Sequence, residues 1–228
     1  MKKILSIIIL GLIITSNGMA YEEANYEVVK KNEVYEIRKY SDRLAIETEI
    51  SNQGSSFRKL FNYISGNNED NEEIKMTTPV TQVEKKGNMT MQFYLPSRFY
   101  KENIPSPSNP DVKILNIKGG YYAVIIYSGR ISDKNFIKHK SILENELKKD
   151  DISIFSPPIK ATYNSPFTLP MLRRNEVMFE VNKLPHIATS EKKEVALSSG
   201  QVDINIRLKR AKKAQALRLK EKIKEKYK

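Results

Sequence analysis

The apolar positions change period several times between residues 26 and 181, and each change predicts an element. In LAIETEI, 44 to 50, Leu44, Ile46, Thr48 and Ile50 alternate with Ala45, Glu47 and Glu49, the pattern of a half-buried strand. Residues 26 to 40, YEVVKKNEVYEIRKY, read more loosely as another. The period then lengthens. In SSFRKLFNYISGNN, Phe57, Leu60, Phe61 and Ile64 stand at i, i+3, i+4 and i+7, which predicts a short amphipathic helix with Ser55 or Ser56 as N-cap and Gly66 past its end. IKMTTPVTQ and MTMQFYLP predict two strands joined by a turn at Lys86, Gly87 and Asn88, with Met89, Met91, Phe93 and Leu95 sharing a face of the second. Pro79 has no N–H to give a ladder, so its strand lies at an edge or carries a bulge. Four prolines between 96 and 110 mark a connector over the surface.

The order then repeats. DVKILNIKGGYYAVIIYSG predicts two strands around Gly119 and Gly120, the second apolar on both faces and therefore central. SDKNFIKHKSILENELKKD predicts a helix capped by Ser132 or Asp133, with Phe136, Lys140, Leu143 and Leu147 along one stripe. IKATYNSP and the strand that begins at RRNEV close the set. Strand, strand, helix, strand, strand occurs twice, so the fold class is α+β, a pseudo-twofold antiparallel sheet or barrel carrying two helices.

The two ends differ from this middle. Residues 1 to 20, MKKILSIIILGLIITSNGMA, have two lysines, an apolar run and small residues before Ala20, the layout of a secretory signal peptide cleaved after that residue. The apolar run is shorter than the ~20 residues that span a bilayer. An exported protein, periplasmic or secreted, is expected. The chain has no cysteine, which excludes disulfides, thiolate nucleophiles and cysteine metal sites. Residues 21 to 198 are then one domain that relies on its core. Of the formal net charge of +12, residues 205 to 228 alone carry +9 and Lys2 and Lys3 another 2, which leaves the domain nearly neutral. Basicity therefore describes a tail, 199 to 228, helical or disordered, and gives no reason to expect specific nucleic-acid binding. A thin stripe of Leu208, Ala216, Leu219, Ile223 and Tyr227 on that basic segment points to an anionic membrane surface as its partner.

Catalytic and metal signatures are missing. Met76 to Pro79 hold no nucleophile with an adjacent base, and the domain has no phosphate loop, no histidine pair at metal spacing and no Gly-x-Ser-x-Gly elbow. No catalytic residue and no metal ligand is assigned. The chain has two histidines, His139 at the margin of the second helix stripe and His186 after the last strand. In PMLRRNEVMFEV, Arg173, Asn175, Val177, Phe179 and Val181 share one face, and Arg174, Glu176, Met178 and Glu180 the other. Arg174 and Glu176 are thus same-face neighbours with a structural role, whereas Arg173 is the freer cation.

Taken in order, YEIRKY, LFNYISGNN, IKMTTPVT, FYLP with its proline-rich connector, YSG and ATYNSPFTLPMLRRNEV resemble the SOUL haem-binding proteins over residues 26 to 182. The resemblance implies a duplicated, distorted antiparallel barrel of about eight strands with two flanking helices. It also implies that haem or protoporphyrin is bound in a shallow apolar pocket beside the first helix, without a required histidine. Matched by position, that pocket falls on Phe57 and Phe61, flanked by Leu60 and Ile64; the family's basic position beside the second of these is Asn62 here. Arg58, with Lys59, and Arg173 are the candidate partners of the propionates, since a guanidinium pairs with a carboxylate in fork geometry. The implied activity is carriage or sequestration of a tetrapyrrole, not catalysis. Two alternatives remain: a hydrolase on a related barrel using Glu176 and Tyr163, and a non-enzymatic module that docks on a surface through the tail.

Overall fold

The computed structural model describes residues 21–182. The expected signal peptide, the expected domain end at 198, His186 and the basic segment beyond it lie outside these residues. In chain order the strands are β1 (Glu22–Glu23), β2 (Tyr26–Lys31), β3 (Glu36–Tyr40), β4 (Arg43–Glu49), β5 (Thr77–Thr78), β6 (Val80–Lys85), β7 (Asn88–Tyr94), β8 (Lys113–Ile117), β9 (Gly120–Tyr127), β10 (Ile159–Thr162) and β11 (Asn175–Val181). Helix α1 (Gln53–Ile64) falls between β4 and β5, and α2 (Asp133–Lys149) between β9 and β10.

Nine strands form one antiparallel sheet in the order β2-β3-β9-β11-β10-β6-β7-β4-β8, curled into a half-barrel. Read outward from the central β10–β6 pair, the order is β11, β9, β3 one way and β7, β4, β8 the other. The expected duplication is therefore present, with one refinement. The first strand of each unit is exchanged: β3 pairs with β9 of the second half, and β8 pairs with β4 of the first. Each half is completed by a strand from the other, and with the central β10–β6 pair the halves cannot separate without breaking three ladders.

Several local expectations are corrected. Residues 26 to 40 are two strands, because Asn32 turns the chain by accepting the N–H groups of Val34 and Tyr35 at 2.9 and 2.8 Å. Helix α1 begins at Gln53 with Asn52 as N-cap, its Oδ1 accepting from Gly54 N and Ser55 N, so neither Ser55 nor Ser56 is the cap. Ser56 is instead buried, and its hydroxyl donates to the Glu49 carbonyl at 3.0 Å. Ser132 caps α2 as expected. Pro79 neither sits at an edge within a strand nor makes a bulge; it divides the segment, leaving Thr77–Thr78 to pair in parallel with Glu22–Glu23. The β6–β7 hairpin closes with Lys86 and Gly87 both at positive φ, the two-residue turn that matches strand twist.

Both helices pack on one face of the sheet. Leu143 and Leu147 of α2 close over Ile37, Ala123, Ile125, Val177 and Phe179, and Leu60, Tyr63 and Ile64 of α1 close over Ile46, Met91 and Phe93. The other face is also buried over much of its area, and beside an apolar cluster of Tyr40, Tyr122, Val124, Ala161 and Met178 it carries polar groups. This overturns the half-buried reading of β4: Glu47 faces away from α1 yet is covered, and it accepts from Gln92 Nε2 at 2.6 Å and Thr90 Oγ1 at 3.1 Å. Thr81 extends that chain to Gln92 at 3.2 Å. Polar side chains satisfied in this way are tolerated in an interior.

Burial of phenols has a consequence for pH. Desolvation pushes the hydroxyls of Tyr63 and Tyr127 up to about 12, and that of Tyr40 up to about 12 against the opposing charge of Arg38. An unfolded tyrosine ionises near ~10, so above that pH the unfolded chain holds fewer protons than the folded one. The stability these groups contribute is complete below about pH 10 and is lost as pH rises toward the folded values. Alkaline titration should show tyrosinate absorbance and loss of circular dichroism at a common midpoint. A smooth phenol titration near pH ~10 in a protein that stays folded would contradict it.

Candidate functional site

Helix α1 divides its side chains into two sets. Ser56, Leu60, Tyr63 and Ile64 point into the core, with Leu60 at 0% and Ile64 at 4% exposure. Tyr63 is fixed further by donating to the Pro105 carbonyl at 2.7 Å. Phe57 and Phe61, one turn apart, remain 37% and 45% exposed. Their rings lie 6.0 Å apart with planes only 14° from parallel, and the edge of Phe93 meets Phe57 at 5.1 Å. The result is an aromatic ledge on the protein surface, a stacked pair of rings on the same helix whose Leu60 and Ile64 are buried in the core. Arg58 is exposed beside it. Lys59 is held by Asp111 at 2.6 Å.

The structure does not bring Arg173 to this ledge. Helix α1 packs on β4 and β7, whereas Arg173 precedes β11, two strands away beyond β10 and β6. Its guanidinium donates to the carbonyls of Thr168 and Pro166 at 2.7 and 2.6 Å, and so fastens the loop that leads into β11. The sequence reading as the freer cation is corrected on this point. His139 also belongs to the second half. Its ring stacks on Tyr127 at 4.0 Å and its Nδ1 lies 2.7 Å from the Asn135 carbonyl. Among the described residues no group of three His, Asp or Glu is placed to hold a metal ion.

A second cluster occupies the polar face. Glu176 is fully buried and receives Arg38 through two bonds at 2.9 and 3.0 Å, Arg174 Nε at 2.9 Å and the Tyr163 hydroxyl at 2.8 Å. Arg38, itself fully buried, also donates to Glu36, and Arg174 reaches Glu23 at 3.0 Å. The face assignment of β11 is borne out: Val177, Phe179 and Val181 lie toward α2, Glu176 and Met178 away from it. Burial alone would lower the arginine pKa values; the charge and hydrogen bonds of Glu176 raise both above the ordinary guanidinium value. Burial, followed by the charge of Glu176, raises Tyr163 far above the ordinary phenol. A general base needs an unshared lone pair and a proton acceptor's freedom. Glu176, shared by two guanidiniums and a phenol, holds β3 and β11 together and has neither. Arg38 had no part in the sequence reading of this cluster. The signal for it was present in EIRKY, where Glu36, Arg38 and Tyr40 share a face.

Comparison with known proteins agrees with this architecture. Among solved structures, the C-terminal domain of EcmrR superposes with a TM-score of 0.51 at 11% identity, covering 70% of this chain and 99% of that domain. A hydrolase from Listeria innocua superposes with a TM-score of 0.51 at 7% identity, covering 68% and 94%. At such identities the likeness is one of fold alone. In sequence, the proteins named heme-binding protein 2 of Mus musculus and of Homo sapiens are each 30% identical over 158 residues, covering 63% of this chain and 76% of their own. The sequence profile of the SOUL heme-binding protein family matches residues 21–180, nearly all of the described structure, and the chain belongs to that family.

Proposed function

We propose that this protein binds a tetrapyrrole, haem or protoporphyrin, against the Phe57 and Phe61 ledge of α1 and carries or sequesters it without transforming it. The observation that carries this reading is the near-parallel, exposed ring pair. A stacked, exposed pair of rings offers a macrocycle the aromatic contact and apolar burial that drive such binding, and membership of a family described as haem-binding supports the choice of ligand. Leu60 and Ile64 stiffen the ledge from the core, and Arg58 is the propionate contact. Arg173 is left to its loop. With His139 packed on Tyr127 in the other half, no described histidine stands at the ledge to ligate iron, so the macrocycle supplies the affinity and the metal adds little.

The test is absorbance titration of the mature chain with haem and with metal-free protoporphyrin. Their dissociation constants should agree within about tenfold, a gap of about 1.4 kcal/mol. A sharp low-spin spectrum with haem, lost in His139→Ala, would refute the ledge as the site.

The same reading extends to the ends of the chain. Residues 1 to 20 direct export to the periplasm or beyond, and the basic tail, at about 1 kcal/mol or less per basic residue near an anionic surface, holds the product at a membrane. Salt-sensitive retention on vesicles containing anionic lipid should disappear when the chain ends at Ser198. Equal retention of both forms would remove the tail from the account.

A further inference from the structure

A cleft of about 420 Å³ lies between the β3–β4 turn, the start of β4, the end of β7 with the connector after it, and strand β1. Its volume is that of a small-molecule site. Leu44, Leu95, Pro96 and Phe99 give it apolar walls, and Arg43 also lines it. Arg43 is unusual among the cations here. Its guanidinium is flanked by the rings of Tyr40 at 4.1 Å, Tyr94 at 4.8 Å and Tyr122 at 5.4 Å, while its buried Nε has no hydrogen-bond partner. Buried donors are almost always satisfied, and leaving one unmade is costly.

The carboxylates of the cleft do not answer that need. Glu22 accepts from Ser97 N at 2.7 Å, Glu23 is paired with Arg174 at 3.0 Å, and Asp42 is taken by Lys118 Nζ and Gly119 N, both at 2.8 Å. Aromatic faces and a hydrogen bond with Tyr122 hold the guanidinium in place, and its remaining N–H groups are the part left to a ligand. We infer that this cleft is a second binding site, for a small amphipathic monocarboxylate: the acid pairs in fork geometry with Arg43, and its apolar body lies against Leu44, Pro96 and Phe99. With Glu23 paired to Arg174 and Asp42 to Lys118, the lining keeps Arg43 and Lys101 against Glu22, a net of one positive charge that calls for one negative charge. The apolar walls select against a small hydrophilic anion. Neither Phe57 nor Phe61 lines it, although Leu95 and Phe99 also belong to the core cluster beneath α1.

Calorimetric titration of the full chain with octanoate and with octanol tests this. Octanoate should bind saturably, and octanol at least tenfold more weakly, since it fills the walls but leaves Arg43 unpaired. Arg43→Gln should weaken octanoate at least tenfold, Arg43→Lys should fall between, and Phe57→Ala with Phe61→Ala should leave octanoate unchanged. Should Arg43→Gln fail to fold, the comparison of acid and alcohol on the unaltered chain still decides. Equal binding of the two, no saturable binding of either, or loss of octanoate in the double phenylalanine variant would overturn the proposal.

Discussion

Arg38→Met is expected to lower the unfolding free energy by about 3 to 5 kcal/mol, because removing one partner of a buried ion pair leaves an uncompensated charge. Glu176 has 0% exposure and would keep only Arg174 and Tyr163, while Glu36, nearly as buried, would keep only Lys31 at 3.5 Å. Arg174→Ala should follow, at about 1 to 3 kcal/mol, since Arg38 still answers Glu176 and the lost guanidinium is partly solvated. Arg173→Ala removes two bonds to loop carbonyls at the surface and should cost about 1 kcal/mol. Arg38→Met combined with Glu176→Leu should recover part of the first loss, because an apolar pair of similar volume avoids the desolvation of both ions. Urea unfolding of the four variants gives the ranking directly. An Arg173→Ala loss larger than that of Arg38→Met would mean that the loop, and not the cluster, holds β3 to β11.

The alternation of NEVMFEV was enough to place every side chain of β11, because one face is an unbroken apolar file and the other contains an ion pair at i and i+2. The same rule misled at β4. In LAIETE the polar file read as a solvent face, but the sheet curls and covers its second face, so Glu47, like Glu36 and Arg38 of β3, is an interior group, and the three are satisfied among themselves and by Gln92, Thr90 and Tyr40. Periodicity reports where apolar residues lie; it does not say whether the opposite face meets water. The pairing of β3 with β9 and of β8 with β4 was also illegible, since exchange between two similar halves leaves every local pattern unchanged. At α1 the spacing of four apolar residues merged two sets. Ser56 and Tyr63 are buried despite their hydroxyls, which rotates the core-facing arc away from Phe57 and Phe61 and leaves those rings at its edge. The cleft at Arg43 had no sequence signal, because its walls come from segments between 22 and 116 that share no motif.

That rotation of the helix makes the largest expected effect on ligand affinity separable from stability. Phe57→Ala combined with Phe61→Ala should weaken haem and protoporphyrin at least about 100-fold, a loss of about 2.8 kcal/mol, since both rings of the stacked pair are removed and neither can be replaced from the core. Each ring is more than a third exposed, so truncation should lower apo stability by only about 1 kcal/mol per site. Leu60→Ala, on the same helix but at 0% exposure, should instead cost about 2 to 5 kcal/mol and alter affinity mainly by reducing the folded fraction. Arg58→Gln, which removes the charge beside the ledge and keeps the stem, should weaken both ligands modestly and more so at low salt, as a surface charge contact does. Pairing the absorbance titrations with urea unfolding of the same preparations separates the two kinds of residue. If the double variant retains the affinity of the parent while its stability collapses, the rings are core and the tetrapyrrole is held elsewhere; if affinity falls and the fold survives, the outward face of α1 is the site.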